Sequence, residues 1–112
     1  MVIVKIKNES LIVKISGDLD LVIAKDFRET VDKILVDRPL KNLILDLTEV
    51  NFIDSSGLGA ILGRYKLIQQ QGGKMSIWGA KPSVHRILDL SGILKIIPVF
   101  KNEKNIIEKR EA

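Results

Sequence analysis

Between Asn42 and Ile68 the apolar residues change their period once, and that change constrains the chain more than any other feature. Asn42-Leu43-Ile44-Leu45-Asp46-Leu47 is apolar apart from its ends and has the length of a buried strand. Downstream, Leu58, Ile61, Leu62, Tyr65 and Ile68 recur at i, i+3, i+4, i+7 and i+10, which predicts one apolar face of a helix. Between the two lie Asp54, Ser55, Ser56 and Gly57, small polar residues of the kind that open a helix. A side-chain oxygen there can accept a hydrogen bond from one of the first unpaired backbone N–H groups. The start of a helix also carries a partial positive charge, so an anion is stabilised beside it. A serine at that point is physically suited to hold a phosphate.

The flanking segments repeat the alternation of strand and helix. Val2–Lys7 and Ser10–Ser16 read as strands joined by the short polar turn Asn8-Glu9, which predicts an antiparallel hairpin. Gly17-Asp18-Leu19-Asp20 then interrupts the strand pattern, with Asp20 placed to begin a helix. From Leu21 to Val36, Ile23, Phe27, Val31, Ile34 and Leu35 fall on one helical face, and Asp37-Arg38-Pro39 ends the run. The second helix is expected to stop at Gly72-Gly73, followed by a strand at Lys74–Gly79. Pro82 opens a third helix, with Val84, Ile87, Leu88 and Leu90 expected on its buried side and Ser91-Gly92 as its stop. Leu94–Phe100 reads as a last strand at an edge, and Asn102–Arg110 as a short charged helix anchored by Ile106 and Ile107. The fold class expected is α/β: one mixed sheet, antiparallel in its opening hairpin and then largely parallel, with about four helices in a single domain over residues 1–112.

Composition narrows the functions open to such a chain. The 112 residues are 46% hydrophobic and 29% charged, which fits one globular core. No apolar run approaches the roughly 20 residues of a membrane span, and no leader pattern opens the chain, so a cytoplasmic location is expected. Without cysteine there is neither a disulfide nor a thiolate metal site. The net charge of +4 is scattered among acids and aromatics make up 4%, which argues against nucleic-acid binding.

Several chemistries can be weighed residue by residue. Gly57, Gly59 and Gly63 match neither a dinucleotide fingerprint nor a phosphate-binding loop, because Leu62 occupies the third glycine position and Arg64-Tyr65 follows Gly63. Close packing of helix on sheet explains the three glycines better. Ser55 or Ser56 as a nucleophile would need a base, and the single histidine, His85, reads as a solvated helix residue. Asp18, Asp20 and Asp54 at strand ends read as turn and cap residues, although a phospho-accepting aspartate or a metal pocket would use the same positions. No enzyme activity, cofactor or metal is expected.

Asn51-Phe52-Ile53-Asp54-Ser55-Ser56-Gly57-Leu58-Gly59-Ala60-Ile61-Leu62-Gly63-Arg64-Tyr65-Lys66 resembles the signature of the STAS-domain family of anti-sigma factor antagonists, in particular its sporulation members. Ser16-Gly17-Asp18-Leu19-Asp20 is similar to that family's Gly-Glu-Leu-Asp stretch, and Pro82–Ile97 to its late helix and the strand after it. The resemblance implies a phospho-switch. The unmodified antagonist would bind an anti-sigma factor that is also an ATP-dependent serine kinase, and so release a sporulation sigma factor. The kinase would phosphorylate Ser55, and a serine phosphatase would reverse the mark. Asp20, Asp54, Ser55, Ser56 and Gly57 would line the partner surface, with Ser56 capping the helix. Leu21-Val22-Ile23-Ala24 departs from the more polar, histidine-containing helix start of the sporulation members. The alternatives are an antagonist in a general-stress sigma pathway and a STAS module that senses a nucleotide or lipid.

Overall fold

The computed structural model describes residues 1–101 of the chain. Its elements are β1 (Val2–Lys7), β2 (Ser10–Leu19), α1 (Leu21–Asp37), β3 (Asn42–Ile53), α2 (Ser55–Gln70), β4 (Lys74–Trp78), α3 (Pro82–Leu90), a 3₁₀ turn (Ile93–Lys95) and β5 (Val99–Phe100). The strands form one sheet in the order β1-β2-β3-β4-β5. The β1–β2 pair is antiparallel around the Asn8-Glu9 turn, where Asn8 takes a positive φ of 56°. Every later pair is parallel, as crossovers through a helix require. Right-handed crossovers along an order that never reverses carry all three helices to one face. There Phe27 and Val31 of α1, Ile61 and Ile68 of α2, and Val84 and Leu88 of α3 join Leu11, Val13, Leu43, Leu45 and Ile77 of the sheet in one core.

Both central strands run past the ends that the apolar pattern predicts, β2 to Leu19 and β3 to Ile53. The reason is a shift of register. Lys14 faces Asp46, but Ser16 faces Glu49, and a second shift falls between Gly17 and Leu19. These irregularities break the inside–outside alternation in both strands at once, so the pattern fades although pairing continues. Gly17 supplies the positive φ of 90° that one of them needs.

Three expectations are corrected. Leu94–Phe100 is not one strand: Gly92 turns left-handed, Ile93–Lys95 forms a 3₁₀ turn, and only Val99–Phe100 pairs with β4. Ile93 and Ile97 are buried while Lys95 between them is exposed, whereas a strand would turn all three to one face. Leu90 lies away from the core at 79% exposure, because it stands about 200° around the helix from Leu88. On α2, Leu62 is 40% exposed while Arg64 is buried at 7%. The helices number three among the described residues, and the fourth, expected at Asn102–Arg110, lies outside them.

Candidate functional site

The ends of β2 and β3 deliver two helix starts to one place. Each strand runs directly into a capping aspartate. Asp20 is the N-cap of α1, its Oδ1 accepting from Ile23 N–H at 3.1 Å. Asp54 is the N-cap of α2, its Oδ1 accepting from Gly57 N–H at 2.9 Å. The Asp54 N–H donates in turn to the Leu19 carbonyl at 3.3 Å, across the sheet. Since Asp20 follows Leu19, one backbone hydrogen bond couples the two caps. The result is a small acidic corner with two positive helix ends beneath it.

Ser55 occupies the first helical position of α2 and is exposed, so its hydroxyl meets solvent above this corner. Ser56, one position on, is half-buried. The expectation that Ser56 caps the helix is corrected: the extended residue is Asp54, with φ −93° and ψ −176°, and both serines already belong to the helix. Asp18 is exposed near the end of β2. His85 is exposed on α3, as its charged neighbours imply.

Gly57 is buried where α2 passes closest to the sheet. A Cβ at this position would stand 2.7 Å from Leu19 Cγ and 2.8 Å from Ile53 Cγ2, and would also strike the Leu19 carbonyl oxygen. Gly57 therefore lets the helix start sit directly on the strand ends. Gly59 and Gly63 have nothing within 4 Å of an added Cβ, so the close-packing explanation fails for those two.

Sequence reasoning missed Arg64. Its Nε lies 2.8 Å from Asp32 Oδ1, an ion pair that spans from α2 to α1. Burial pushes the Arg64 guanidinium below its ordinary pKa, with Asp32 opposing that shift and Arg28 adding to it. The i, i+3, i+7 spacing of Ile61, Arg64 and Ile68 places Arg64 on their face, so the helical period carried the signal and the residue's polarity concealed it. On the outer strand segments, Lys14 pairs with Glu49 at 2.5 Å, and that contact raises the Lys14 pKa. Two clefts, of about 200 and 500 Å³, open at the opposite pole around Lys74 and Pro98, away from Ser55.

Among the described residues no helix is long and apolar enough to cross a membrane, and no three His, Asp or Glu side chains gather as a metal ion would require.

Residues 1–106 match the family model of the STAS domain. The chain is 46% identical over 102 residues to an anti-sigma F factor antagonist of Paenibacillus polymyxa, covering 91% of this chain and 87% of that one. It is 29% identical over 96 residues to an anti-sigma-B factor antagonist of Bacillus subtilis, covering 86% of each. Among solved structures, the unphosphorylated form of the anti-sigma factor antagonist SpoIIAA superposes with a TM-score of 0.87 at 19% identity, covering 100% of this chain and 98% of that one.

Proposed function

The chain belongs to the STAS-domain family of anti-sigma factor antagonists, and from that footing we propose that it is a sporulation partner switch controlled at Ser55. The unmodified protein binds an anti-sigma factor that is also a serine kinase, and a sigma factor is released. The kinase transfers the γ-phosphoryl group of ATP to the Ser55 hydroxyl, after which binding is lost. A serine phosphatase restores the free hydroxyl. On this reading residues 1–112 act as one STAS domain in the cytoplasm, as a binding protein and not as a catalyst.

The observation that carries this reading is the position of Ser55: exposed, first in α2, and beside two capping aspartates held together through Leu19. Phosphate there adds between one and two negative charges, which the α2 start tolerates. The neighbouring carboxylates of Asp54 and Asp20 already give this corner a negative sign. Added charge and volume therefore oppose the partner directly, and the backbone has no need to move. Asp20, Asp54, Ser56 and Gly57 supply the rest of the contact surface, the glycine through its backbone.

Intact mass after incubation with ATP and a sporulation anti-sigma kinase tests the assignment. One added phosphate on the wild type and none on Ser55→Ala is expected. A phosphate retained by Ser55→Ala, or none on the wild type with a kinase proven active on another antagonist, overturns it. Amide chemical shifts of the two phospho-forms test the mechanism: changes are expected only around the starts of α1 and α2. Changes spread through the sheet would refute the direct-conflict account.

The likeness to an anti-sigma-B factor antagonist favours a second reading, the same switch in a general-stress sigma pathway. Competition between the two kinase partners for unmodified protein separates the readings, and tighter binding to the sporulation kinase is expected.

A further inference from the structure

β1 ends the strand order on one side, and among the described residues it pairs with β2 alone. Its other edge is open. The hydrogen bonds to β2 fix which groups that edge presents. Met1 and Ser16 exchange two of them, the Met1 ammonium donating to the Ser16 carbonyl at 3.1 Å and the Ser16 N–H to the Met1 carbonyl at 3.0 Å. Such exchanges alternate along an antiparallel pair, so Ile3, Lys5 and Lys7 also direct their N–H and C=O groups at β2. Val2, Val4 and Ile6 turn theirs outward. The same three side chains lie on the helix-bearing face, where Val2 is half-buried against the core and Val4 and Ile6 are exposed. From that face α1 packs on β1 and β2. Its border away from Asp32 and α2 carries Ile23, Thr30 and Ile34, all half-buried, so the open edge has an apolar flank.

We propose that two copies of the chain join through this edge, β1 against β1, antiparallel and in register about Val4. Val2 then stands opposite Ile6 of the second copy, Val4 opposite Val4, and Ile6 opposite Val2. In all three pairs the outward N–H and C=O groups face each other, so each pair exchanges two hydrogen bonds, and every side chain they bring together is β-branched. On the other face Lys5 lies over Ile3 of the second copy, and no lysine meets a lysine. The neighbouring registers are worse. One sets Lys5 against Lys5, and the other leaves only two pairs with outward groups. Lysine commonly guards a sheet edge. Here Lys5 and Lys7 leave by the face opposite α1, and the outward backbone groups are flanked by valine and isoleucine alone. The two-fold axis reverses the second copy, so its Ser55 corner lies at the opposite end of the joined sheet. Both corners stay open, and the join goes beyond the proposed switch without depending on it.

A short strand makes a small interface, so a weak dimer is expected. Sedimentation of the full-length chain from micromolar to millimolar concentration should show monomer giving way to dimer. Val4→Pro removes the central outward N–H without touching the ladder to β2, and should hold the chain monomeric with far-UV dichroism retained. Val4→Lys sets two like charges face to face on the axis and should do the same. The chain has no cysteine, so cross-linking can read the register. Ile3→Cys mixed with Lys5→Cys should form the mixed disulfide, because such a pair brings its Cα atoms to about 4.5 Å, and either variant alone should cross-link far more slowly. This measurement stands even where a Val4 variant fails to fold. A wild type that stays monomeric over the whole range overturns the proposal, as does a dimer that survives both Val4 variants. Self-linking of Ile3→Cys or Lys5→Cys that outpaces the mixed disulfide overturns the register about Val4.

Discussion

Three glycines of α2 look alike in the sequence, yet alanine at each should have opposite consequences. At Gly57 the new methyl would lie 2.7 Å from Leu19 Cγ and 2.8 Å from Ile53 Cγ2, and against a backbone oxygen that cannot rotate away. Overpacking of that kind costs about 1–3 kcal/mol, and the fixed oxygen places this case near the upper end. Better helix propensity returns about 1 kcal/mol, leaving a net loss of about 2 kcal/mol. For a chain of this size that lowers Tm by roughly 8 °C. Gly59→Ala and Gly63→Ala meet open space. Each should therefore gain about 0.5–1 kcal/mol and melt roughly 2–4 °C higher. Urea unfolding of the three variants at equal m-value is the assay. Gly57→Ala as stable as wild type, or Gly59→Ala destabilised to the same extent, would refute the close-approach account of the α2 start.

Asp54→Ala removes the α2 cap and should cost about 1 kcal/mol in urea melts, while Asp54→Asn, which can still accept from Gly57 N–H, should cost a few tenths. Asp32→Ala strands the Arg64 guanidinium in its buried position. A loss of about 2 kcal/mol is expected, less than for a fully buried pair because the carboxylate is 38% exposed, and Arg64→Met in the same background should recover part of it. The raised Lys14 pKa makes its pairing with Glu49 a contribution present below the ordinary lysine range and lost as pH rises through the higher folded-state value. The stability difference between wild type and Lys14→Gln should accordingly persist from pH 7 to 9 and shrink above pH 10.5. A difference that stays constant to the highest pH at which the protein folds would count against that pairing.

What could be read from the sequence was whatever local chemistry alone decides. Asp20 and Asp54 as helix starts, the glycine stop at Gly72 and the proline start at Pro82 follow from backbone groups that need partners, and all four stand in the structure. The apolar faces of α1 and of most of α2 followed in the same way. Long-range events were hidden. The register shifts between β2 and β3 erased the alternation that would have marked the last part of each strand. The exchange of Leu62 for Arg64 on the buried side of α2 depends on Asp32, thirty-two residues earlier, which no window along the helix contains. The resemblance marked Ser55 as the switch residue, and folding added the reason its surroundings are acidic: Leu19 brings the second aspartate to the first.

The strand order has one more consequence. In open sheets of strands and helices, pockets for small molecules form where successive crossovers depart in opposite directions and their loops part. Here the order runs from β1 to β5 without doubling back. The starts of α1 and α2 emerge side by side and are stitched together by a single hydrogen bond. The corner at Ser55 is therefore a crest and not a slot. A crest is suited to a broad opposing surface, and on the proposed reading a phosphate on Ser55 would alter the fit of whatever rests on it.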